Sequence, residues 1–442
     1  MSYLNKTFSI LAEHELRYRS CFNLVPSENI ISPMSRQAFL SDSFNRYFFD
    51  EKDVFEVWTF QGGSIVGRIQ KEVLFEILRK VGRAKYVDVR SISGLTGMTL
   101  ALAAFGGEPG QVVYSVPPSL GGHPDTGYVG KKFGYVMKEL PFANCFDLDL
   151  ERLHSMIRTS SPSMVYLDHA TSLFPLDLDN AIKVIRDATR ERVHVHVDSS
   201  HVNGLIWGEV FGNPLDAGAD SYGGSTHKTF PGPHKAVLFT NSSDLSEKLT
   251  LTAVNMISHH HMSDVVALTI SLIEFVECGG RDYVKQTCKN AKAFATALHS
   301  RDFDVQGAER GFTANHQVWI DSSNLGDAYI ISSRLFEAGF TVNAFNPIPT
   351  IGKPGIRMGL NEVTKLGLKE DSMETMAELF KRLLLDGESA EKIKDKVAGM
   401  RHGLTPQYCF SQLEFKNRFD TLMRESQLSR DENRTLDGFL YS

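Results

Sequence analysis

The sequence predicts an α/β fold in which a large, mostly parallel sheet domain is followed by a smaller α/β domain. Two observations lead to this prediction. Residues 163–240 alternate short apolar strands with a helical repeat, and from about residue 285 the alternation of helix and strand begins again. Strand, helix and strand joined by short connections build a right-handed parallel crossover, and repeated units of this kind form a single sheet.

The first of these units is the clearest. Residues 164–167 (MVYL) and 193–197 (VHVHV) are predicted strands, and the apolar residues within 178–185 recur at helical spacing between them. Asp168 and Asp198 each follow one of these strands. Because ligands of such sheets bind at the carboxyl ends of the strands, we expect both aspartates to lie near a site.

A loop of small residues lies upstream. Residues 86–89 are a predicted strand, residues 91–97 (SISGLTG) a loop, and residues 98–105 a helix. The amino end of a helix offers unpaired amide donors and the positive end of the helix dipole, which suit a phosphate group. Most such loops only cap a helix, so the loop alone leaves both interpretations open.

The second half of the chain suggests a smaller domain and a charged, mostly helical tail in which Met400 and Leu404 pack back onto the body. We expect four regions along the chain. They are an N-terminal arm (1–50), a large domain (51–284), a small C-terminal domain (285–386, with a helix at 284–298, a strand at 316–321, a helix at 327–337 and a strand at 339–342) and a helical extension (387–442).

Composition excludes several classes of protein. The 442 residues are 42% hydrophobic and 23% charged with a net charge of −6, which argues against a broad surface for nucleic acid. Residues 1–20 lack the apolar core of a signal peptide, and the longest apolar stretch, 265–273, is too short to span a bilayer. Five scattered cysteines without a CxxC pair predict neither a disulfide framework nor a zinc site. We expect a cytoplasmic protein without nucleic-acid or membrane partners.

The segment 223–234 (GGSTHKTFPGPH) places Lys228 in a loop of turn-forming residues. A loop lysine at a sheet edge can be partly desolvated, which lowers its pKa and frees the amine to attack a carbonyl. Composition alone favours an ordinary surface lysine. However, Asp198 precedes it at a strand end, where a carboxylate can hold a pyridine nitrogen protonated. Together with the loop at 91–97, these residues meet the requirements of pyridoxal 5'-phosphate.

At these positions the sequence resembles serine hydroxymethyltransferase and its relatives among the fold type I pyridoxal-phosphate enzymes, which share the aspartate aminotransferase-like fold. The matching segments follow the family order and span roughly residues 22–370. They are 23–29 (NLVPSEN), 121–123 (GGH), 198–201 (DSSH), 226–229 (THKT), 313–316 (TANH) and 355–359 (GIRMG).

The resemblance implies a role for each matching residue. Lys228 would form the covalent imine with the cofactor, and Asp198 would pair with the pyridinium nitrogen. His123 would stack on the ring, and His201 would lie near its phenolic oxygen. For both histidines the alternative is an ordinary core histidine.

Further residues follow from the same resemblance. Arg357 would hold the substrate carboxylate, a task that suits a planar guanidinium, although a surface salt bridge is the alternative. The others are Ser93, Gly94, Thr226 and His227, expected to bind the cofactor, and Ser27 and Tyr47, expected to line the substrate pocket.

The chain also departs from the family pattern. Phe48 and Phe49 occupy the place of a glutamate that handles protons and contacts folate, and an aromatic ring cannot transfer a proton. Phe60 replaces one of a pair of tyrosines. These changes count against the use of tetrahydrofolate, and we expect the three phenylalanines to shape the pocket.

Several of the variant segments resemble L-threonine transaldolases of natural-product pathways instead. They are 229–233 (TFPGP), 311–313 (GFT) with 316–317 (HQ), 352–354 (GKP) and 404–406 (LTP).

The run 258–261 (SHHH) replaces a glycine-rich segment of the family. Three consecutive residues point in different directions, whereas two metal ligands on one helix face are three or four residues apart. We therefore expect the histidines to lie at a dimer interface near the cofactor phosphate, and we expect no metal site.

The predicted function is a homodimeric pyridoxal-phosphate enzyme with shared active sites that acts on the Cα–Cβ bond of a β-hydroxy-α-amino acid. It would bring threonine or serine to the glycine level and transfer that unit to an aldehyde. The alternatives are a folate-dependent hydroxymethyltransferase, a decarboxylase or oxidase on the same scaffold, and a catalytically silent binding subunit. The presence of Lys228, Asp198 and Arg357 argues against the last.

Overall fold

The computed structural model describes residues 2–57, 59–189, 192–257, 259–411, 413, 414, 416–418 and 421. The α-helices in these ranges are α1 (Tyr3–Tyr18), α2 (Pro33–Arg36), α3 (Glu51–Phe55), α4 (Phe75–Gly82), α5 (Gly94–Phe105), α6 (Pro124–Lys132), α7 (Leu150–Ser160), α8 (Leu178–Ala188), α9 (Asn203–Trp207), α10 (Ser243–Met256), α11 (Met262–Glu277), α12 (Gly280–His299), α13 (Ala328–Glu337), α14 (Asn361–Lys365), α15 (Glu370–Leu384) and α16 (Ala390–Arg401).

The strands fall into three sheets. They are β1 (Phe22–Asn23), β2 (Tyr86–Asp88), β3 (Val112–Ser115), β4 (Val136–Glu139), β5 (Met164–Leu167), β6 (His194–Asp198), β7 (Ser221–Ser225), β8 (Ala236–Thr240), β9 (Asp304–Val305), β10 (Gln317–Asp321), β11 (Phe340–Thr341), β12 (Asn343–Ile348) and β13 (Lys353–Gly359).

The largest sheet has seven strands in the order β2-β8-β7-β6-β5-β3-β4. All neighbouring strands from β7 to β4 are parallel. Strand β8 is antiparallel to both of its neighbours, β2 and β7. Strand β5 is buried along its whole length because helices cover both faces of such a sheet. The predicted mostly parallel sheet is confirmed.

A second sheet, of four antiparallel strands in the order β12-β13-β10-β9, belongs to the C-terminal half. Each half has its own apolar core. Leu78, Ile182 and Leu272 are buried in the core around the large sheet, whereas Leu335 and Phe380 are buried in the C-terminal core.

The N-terminal segment joins the C-terminal core. Strand β1 pairs in parallel with β11, so that Phe22 lies opposite Phe340. Phe22 and Leu24 are fully buried among the apolar side chains of the C-terminal half. The segment that follows β1 is thereby brought to the edge of the large sheet.

The tail after α15 continues as α16, whose end places Met400 and Leu404 against the C-terminal core, as expected. Residues 402–411 are irregular, so the helical prediction does not extend to them, and residues 422–442 lie outside the described residues. Within the described part, no helix combines the length and apolar character that crossing a bilayer requires.

Close packing at two glycines brings α5 onto the end of β7. A Cβ on Gly94 would lie 2.1 Å from the Ser225 hydroxyl, and a Cβ on Gly224 would lie 2.4 Å from that of Ser200. The helix begins at Gly94, earlier than the predicted residue 98, because the Ser93 hydroxyl caps it by accepting the Thr96 N–H at 3.1 Å. The amino end of α5 therefore faces the carboxyl ends of the central strands.

The C-terminal core gives a stability prediction. Leu335→Ala removes a fully buried side chain from α13, and we expect it to lower the free energy of unfolding by about 2–5 kcal/mol. Ile330→Ala, in the same helix but 62% exposed, serves as the control and should change it by less than about 0.5 kcal/mol. Urea unfolding followed by circular dichroism measures both. Equal losses would show that α13 does not bury the face described.

Candidate active site

Lys228 lies in the loop between β7 and β8, with only 9% of its surface exposed. Its backbone carbonyl accepts hydrogen bonds from the amides of Asn29, at 2.6 Å, and Asn361. Its ammonium makes no hydrogen bond to the described residues, and burial lowers the pKa of Lys228 to about 8 although Asp198 acts in the opposite direction. The structure therefore holds the main chain firmly and leaves the amine available inside a cleft.

The loop that carries Lys228 is stabilised by its own side chains. The Thr226 hydroxyl donates to the Pro233 carbonyl at 2.6 Å, so this side chain serves the turn. The His227 ring stacks on His234 with a centroid separation of 3.8 Å, and burial lowers the pKa of His227 to about 3. The His227 Nδ1 is buried without a hydrogen-bond partner. It is a polar atom that a bound group would satisfy.

Asp198 ends β6 and projects into the same cleft. One oxygen accepts the Tyr166 hydroxyl at 2.8 Å, and the other accepts the Ser200 backbone N–H at 2.8 Å. Neither bond neutralises the carboxylate, which is partly exposed and faces the cleft. This is the position expected from the end of a parallel strand.

The cleft has an empty volume of about 320 Å³, including the part that opens to solvent. Five of the residues singled out in the sequence line it together, namely Gly94, His123, Asp168, Asp198 and Lys228. The other lining residues are Leu95, Met98, Ala170, Ser200 and Ser225.

His123 forms one wall of the cleft at the start of α6. Its Nδ1 accepts the Asp125 backbone N–H at 3.3 Å, so a neutral His123 carries its proton on Nε2. Burial lowers the pKa of His123 from its ordinary value, with a smaller opposing effect of Asp198. The ring is therefore neutral at physiological pH and presents an N–H donor.

Arg357 in β13 lies beside the cleft and is 5% exposed. Its Nε donates to the Gln317 side-chain oxygen at 2.8 Å, and its Nη2 donates to the Ala170 carbonyl at 3.2 Å and to His201 Nε2 at 3.2 Å. Burial lowers the pKa of Arg357 to about 9, and no carboxylate of the described residues pairs with it. Because an unpaired buried cation is costly, the site is suited to an incoming carboxylate.

Two buried histidines support this arginine. His201 Nδ1 lies 3.5 Å from His316 Nε2, and His316 Nδ1 donates to the Asn315 side-chain oxygen at 2.6 Å. Burial lowers the pKa of His201 well below its ordinary value and that of His316 to about 3. Since His201 Nε2 accepts from Arg357, its proton resides on Nδ1. His201 thus contacts the arginine, and it does not line the cleft around Lys228.

Two residues expected in the substrate pocket do not line this cleft. Tyr47 is 49% exposed and packs against Phe60, with ring centroids 5.3 Å apart, and against His259 at 4.7 Å. Ser27 is partly exposed and likewise lies outside the residues that line the cleft.

The three phenylalanines expected to shape the pocket do not line this cleft either. Phe48 is fully buried in the core of the large domain, and Phe49 lies with Phe60 in the exposed aromatic group around Tyr47. Alternation along the arm turns Phe48 inward and its neighbours outward. Within this chain none of the three contributes to the cleft around Lys228.

Asp168 is the main residue whose role the sequence did not reveal. It is 1% exposed, and its carboxylate accepts the backbone N–H groups of Val116 and His123, both at 3.1 Å, and the hydroxyl of Thr126. Its place at a strand end was the available signal. Asp168 fixes the segment that carries His123.

The described residues offer no group of three histidine, cysteine or carboxylate side chains arranged to hold a metal ion. His259 and His261 stack on each other at 4.1 Å, and the buried His260 donates through Nδ1 to the Gln70 side-chain oxygen at 2.8 Å. Ser258 lies outside the described residues.

The donor set meets the needs of pyridoxal phosphate. A buried amine can bind its aldehyde, a carboxylate in the cleft can hold its ring nitrogen, and the capped amino end of α5 together with the Ser200 and Ser225 hydroxyls can receive its phosphate. Gly94 keeps this end free of a side chain.

Comparison with known proteins identifies the class. The chain matches the protein-family model described as serine hydroxymethyltransferase over residues 3–380, and it belongs to this family. Its fold is therefore that of a fold type I pyridoxal-phosphate enzyme, as predicted.

Particular relatives narrow the comparison. The chain is 35% identical to an L-threonine:uridine-5'-aldehyde transaldolase from Amycolatopsis sp over 86% of its length and 93% of the relative's. It is 37% identical to another protein of that name from Streptomyces sp, and the match covers 83% of this chain and 86% of the relative. A serine hydroxymethyltransferase from Korarchaeum cryptofilum is 31% identical, and the match covers 89% of this chain and 93% of the relative.

A solved structure is similar along nearly the whole chain. The crystal structure of L-threonine transaldolase from Pseudomonas fluorescens in its internal aldimine state has a TM-score of 0.86 and 25% identity, and the match covers 95% of this chain and 97% of that one.

The role of Asp168 can be tested directly. In Asp168→Asn, an amide N–H₂ replaces one carboxylate oxygen. This donor then faces another donor and one hydrogen bond is lost, so we expect the free energy of unfolding to fall by roughly 1–3 kcal/mol. Because His123 loses its anchor, the holoenzyme should also retain less cofactor. Denaturant unfolding and visible absorption measure the two effects. Asp179→Asn, an exposed control at the start of α8, should show neither.

Proposed function

We propose that the protein is a pyridoxal-phosphate-dependent transaldolase that transfers the glycine unit of a β-hydroxy-α-amino acid such as L-threonine to an acceptor aldehyde. One observation carries the proposal. Among the described residues, the buried amine of Lys228 has no hydrogen-bond partner and the buried guanidinium of Arg357 has no carboxylate partner. Lys228 lines one cleft with the strand-end Asp198, and Arg357 lies beside that cleft, where it donates to the carbonyl of the lining residue Ala170. Pyridoxal phosphate, when bound, supplies a protonated ring that stabilises negative charge at the amino acid's α-carbon.

Lys228 holds the aldehyde group of the cofactor and releases it to the incoming amine. Because burial lowers the pKa of Lys228 to about 8, a larger fraction of its amine is unprotonated at neutral pH than in an exposed lysine. Asp198 holds the proton on the ring nitrogen, and the Tyr166 hydroxyl and Ser200 N–H keep its carboxylate in place. Tyr166 is fully buried, so this support is rigid.

Arg357 binds the carboxylate of the amino acid. The guanidinium lies over the Phe345 ring but has no carboxylate partner among the described residues, so the substrate carboxylate would neutralise its charge. This grip would fix the orientation of the α-carbon in the cleft. It would thereby select which bond of the α-carbon the cofactor, when bound, activates.

His123 covers one face of the ring position. In the hydrogen-bond pattern of the free cleft its Nε2 carries a proton and can only donate. The proton of the substrate's β-hydroxyl therefore passes to another acceptor, and a water molecule admitted to the cleft can take it. His123 Nε2–H is placed to donate to the oxygen of a departing or entering aldehyde.

The comparisons support transfer to an aldehyde over transfer to folate. Two of the relatives at 35% and 37% identity are L-threonine:uridine-5'-aldehyde transaldolases, whereas the hydroxymethyltransferase is 31% identical. The aromatic residues at 48 and 49 agree with this assignment, because neither can transfer a proton.

The active protein is proposed to be a homodimer whose subunits share their sites. Helix α1 has no buried residue, although it carries several large apolar side chains. Leu4, Phe8 and Leu11 are each more than half exposed. Ile92 and Leu95, which are 44% and 47% exposed, extend an apolar surface to the cleft. A second copy of the chain is the proposed cover, and it would bring Tyr47 and the aromatic group around it to a neighbouring cleft.

The pKa of Lys228 gives a pH prediction. We expect the apoprotein to capture pyridoxal phosphate at a rate that rises about tenfold per pH unit below pH 8 and levels off above it, because only the unprotonated amine attacks. Stopped-flow absorbance measures the rate, and borohydride reduction with peptide mapping locates the label.

Lys235, another fully buried lysine, provides the control because burial lowers its pKa to about 8 as well. Lys235→Met should keep the label, and Lys228→Ala should lose it. A label on Lys235, or a rate that still rises steeply up to pH 10, would contradict the assignment of Lys228.

The proposed reaction predicts its products. Purified holoenzyme with L-threonine should release acetaldehyde, and addition of an acceptor aldehyde should yield a new β-hydroxy-α-amino acid, identified by mass spectrometry. Arg357→Lys should weaken threonine binding about tenfold or more, because an ammonium cannot keep the hydrogen bonds to Gln317 and Ala170 that hold the guanidinium in place. Tetrahydrofolate should not accelerate cleavage of serine. Acceleration would assign a hydroxymethyltransferase, and release of carbon dioxide or uptake of oxygen would assign a decarboxylase or an oxidase.

A further inference from the structure

Gln317 is a fully buried amide at the start of β10, next to Arg357 of β13. Its side-chain oxygen accepts the Arg357 Nε–H at 2.8 Å and the Trp319 indole N–H at 3.2 Å. Its side-chain nitrogen donates to the Ala170 carbonyl at 3.1 Å. Every contact of this amide therefore serves the surroundings of the guanidinium.

The same carbonyl of Ala170 also accepts the Arg357 Nη2–H at 3.2 Å. The amide of Gln317, the guanidinium of Arg357 and the Ala170 carbonyl thus form a closed ring of three hydrogen bonds. His201 Nε2, 3.2 Å from Nη2, occupies the second hydrogen of that nitrogen. Of the five N–H groups of the guanidinium, only the two on Nη1 have no hydrogen-bond partner among the described residues. The face of the guanidinium lies over the Phe345 ring, with its central carbon 4.8 Å from the ring centroid.

We infer that Gln317 is a positioning residue that sets the rotation of the Arg357 guanidinium, so that Nη1 meets the carboxylate of the amino acid. The inference rests on the proposed function and adds to it the residue that decides how the carboxylate is held. Arg357 can rotate about its own side-chain bonds, and the ring of three hydrogen bonds removes that freedom.

The chemistry of an amide suits this task better than that of other side chains of similar size. A glutamate would pair with the guanidinium and neutralise the charge that the substrate needs. A methionine would leave the Arg357 Nε–H and the Trp319 N–H buried without acceptors. A neutral amide accepts from Arg357 and donates to the Ala170 carbonyl at the same time. It therefore completes the ring of hydrogen bonds without competing with the substrate carboxylate for the guanidinium.

The test compares two ligands that differ in their carboxylate. Wild-type holoenzyme and the variants Gln317→Met and Gln317→Glu are titrated with glycine and with glycinamide, and the change in the cofactor's visible absorption gives each dissociation constant. We expect Gln317→Met to raise the constant for glycine about tenfold and to leave that for glycinamide nearly unchanged, since a misplacement of about 1 Å can cost up to roughly 10²-fold. Gln317→Glu should raise the constant for glycine further.

A matched control separates positioning from stability. Gln70 is another fully buried glutamine with hydrogen bonds at both ends of its amide, to Asp50 and His260. Gln70→Met should lower the unfolding temperature while keeping the wild-type ratio of the two constants. The ratio is the readout, because a general loss of structure weakens both ligands together.

Each outcome decides between the hypotheses. If Gln317→Met keeps the wild-type ratio, or if both constants rise equally, Gln317 does not position Arg357. If Gln317→Met does not retain the cofactor, Gln317→Asn, which stays neutral but is one methylene too short to bond both Arg357 and the Ala170 carbonyl, decides in its place by the same ratio. If wild-type holoenzyme responds to no amino acid at all, it is the proposed function that fails.

Discussion

Two buried cations that have no carboxylate partner among the described residues impose the constraint on which the rest of the site depends. Lys228 lines the cleft and Arg357 lies beside it, and burial disfavours the charged form of both. Such groups persist only when the surrounding structure holds them in place. The amides of Asn29 and Asn361 hold the main chain of Lys228, and Gln317 with the Ala170 carbonyl holds Arg357. Substrate and cofactor, both anionic, would supply the missing charge.

The parallel order of the sheet makes this arrangement physically simple. Asp168 and Asp198 follow β5 and β6, which are neighbours, and Ser225 ends β7 beside them. Their side chains meet because parallel strands end at the same edge. Glycines at 94 and 224 then allow the amino end of α5 to close against that edge. One part of the cleft therefore recognises charge and another provides backbone donors.

Local sequence was enough to predict part of this site. The apolar runs of β5 and β6 and the polar residues at their ends place Asp198 correctly, and the turn residues around Lys228 place it in a loop. The partners of Arg357 could not be predicted, because Gln317 and Ala170 lie 40 and 187 residues away in the chain. The location of Tyr47 and the burial of Phe48 were also beyond local sequence, since they depend on which side of the arm meets the large core. The roles of Asp168 and Gln317 are expressed only through hydrogen bonds between distant segments.

The pairing of β1 with β11 has a consequence for how the chain reaches its folded state. Phe22 cannot pair before Phe340 has been synthesised. A ribosome that adds roughly 5–20 residues per second reaches Phe340 on the order of tens of seconds after Phe22. Contacts so far apart in sequence form late, after local units have collapsed. Asn29, which steadies the lysine loop, follows β1 directly. The large sheet can thus assemble during synthesis, whereas the cleft becomes complete only after β1, near the start of the chain, has paired with β11 in the C-terminal half.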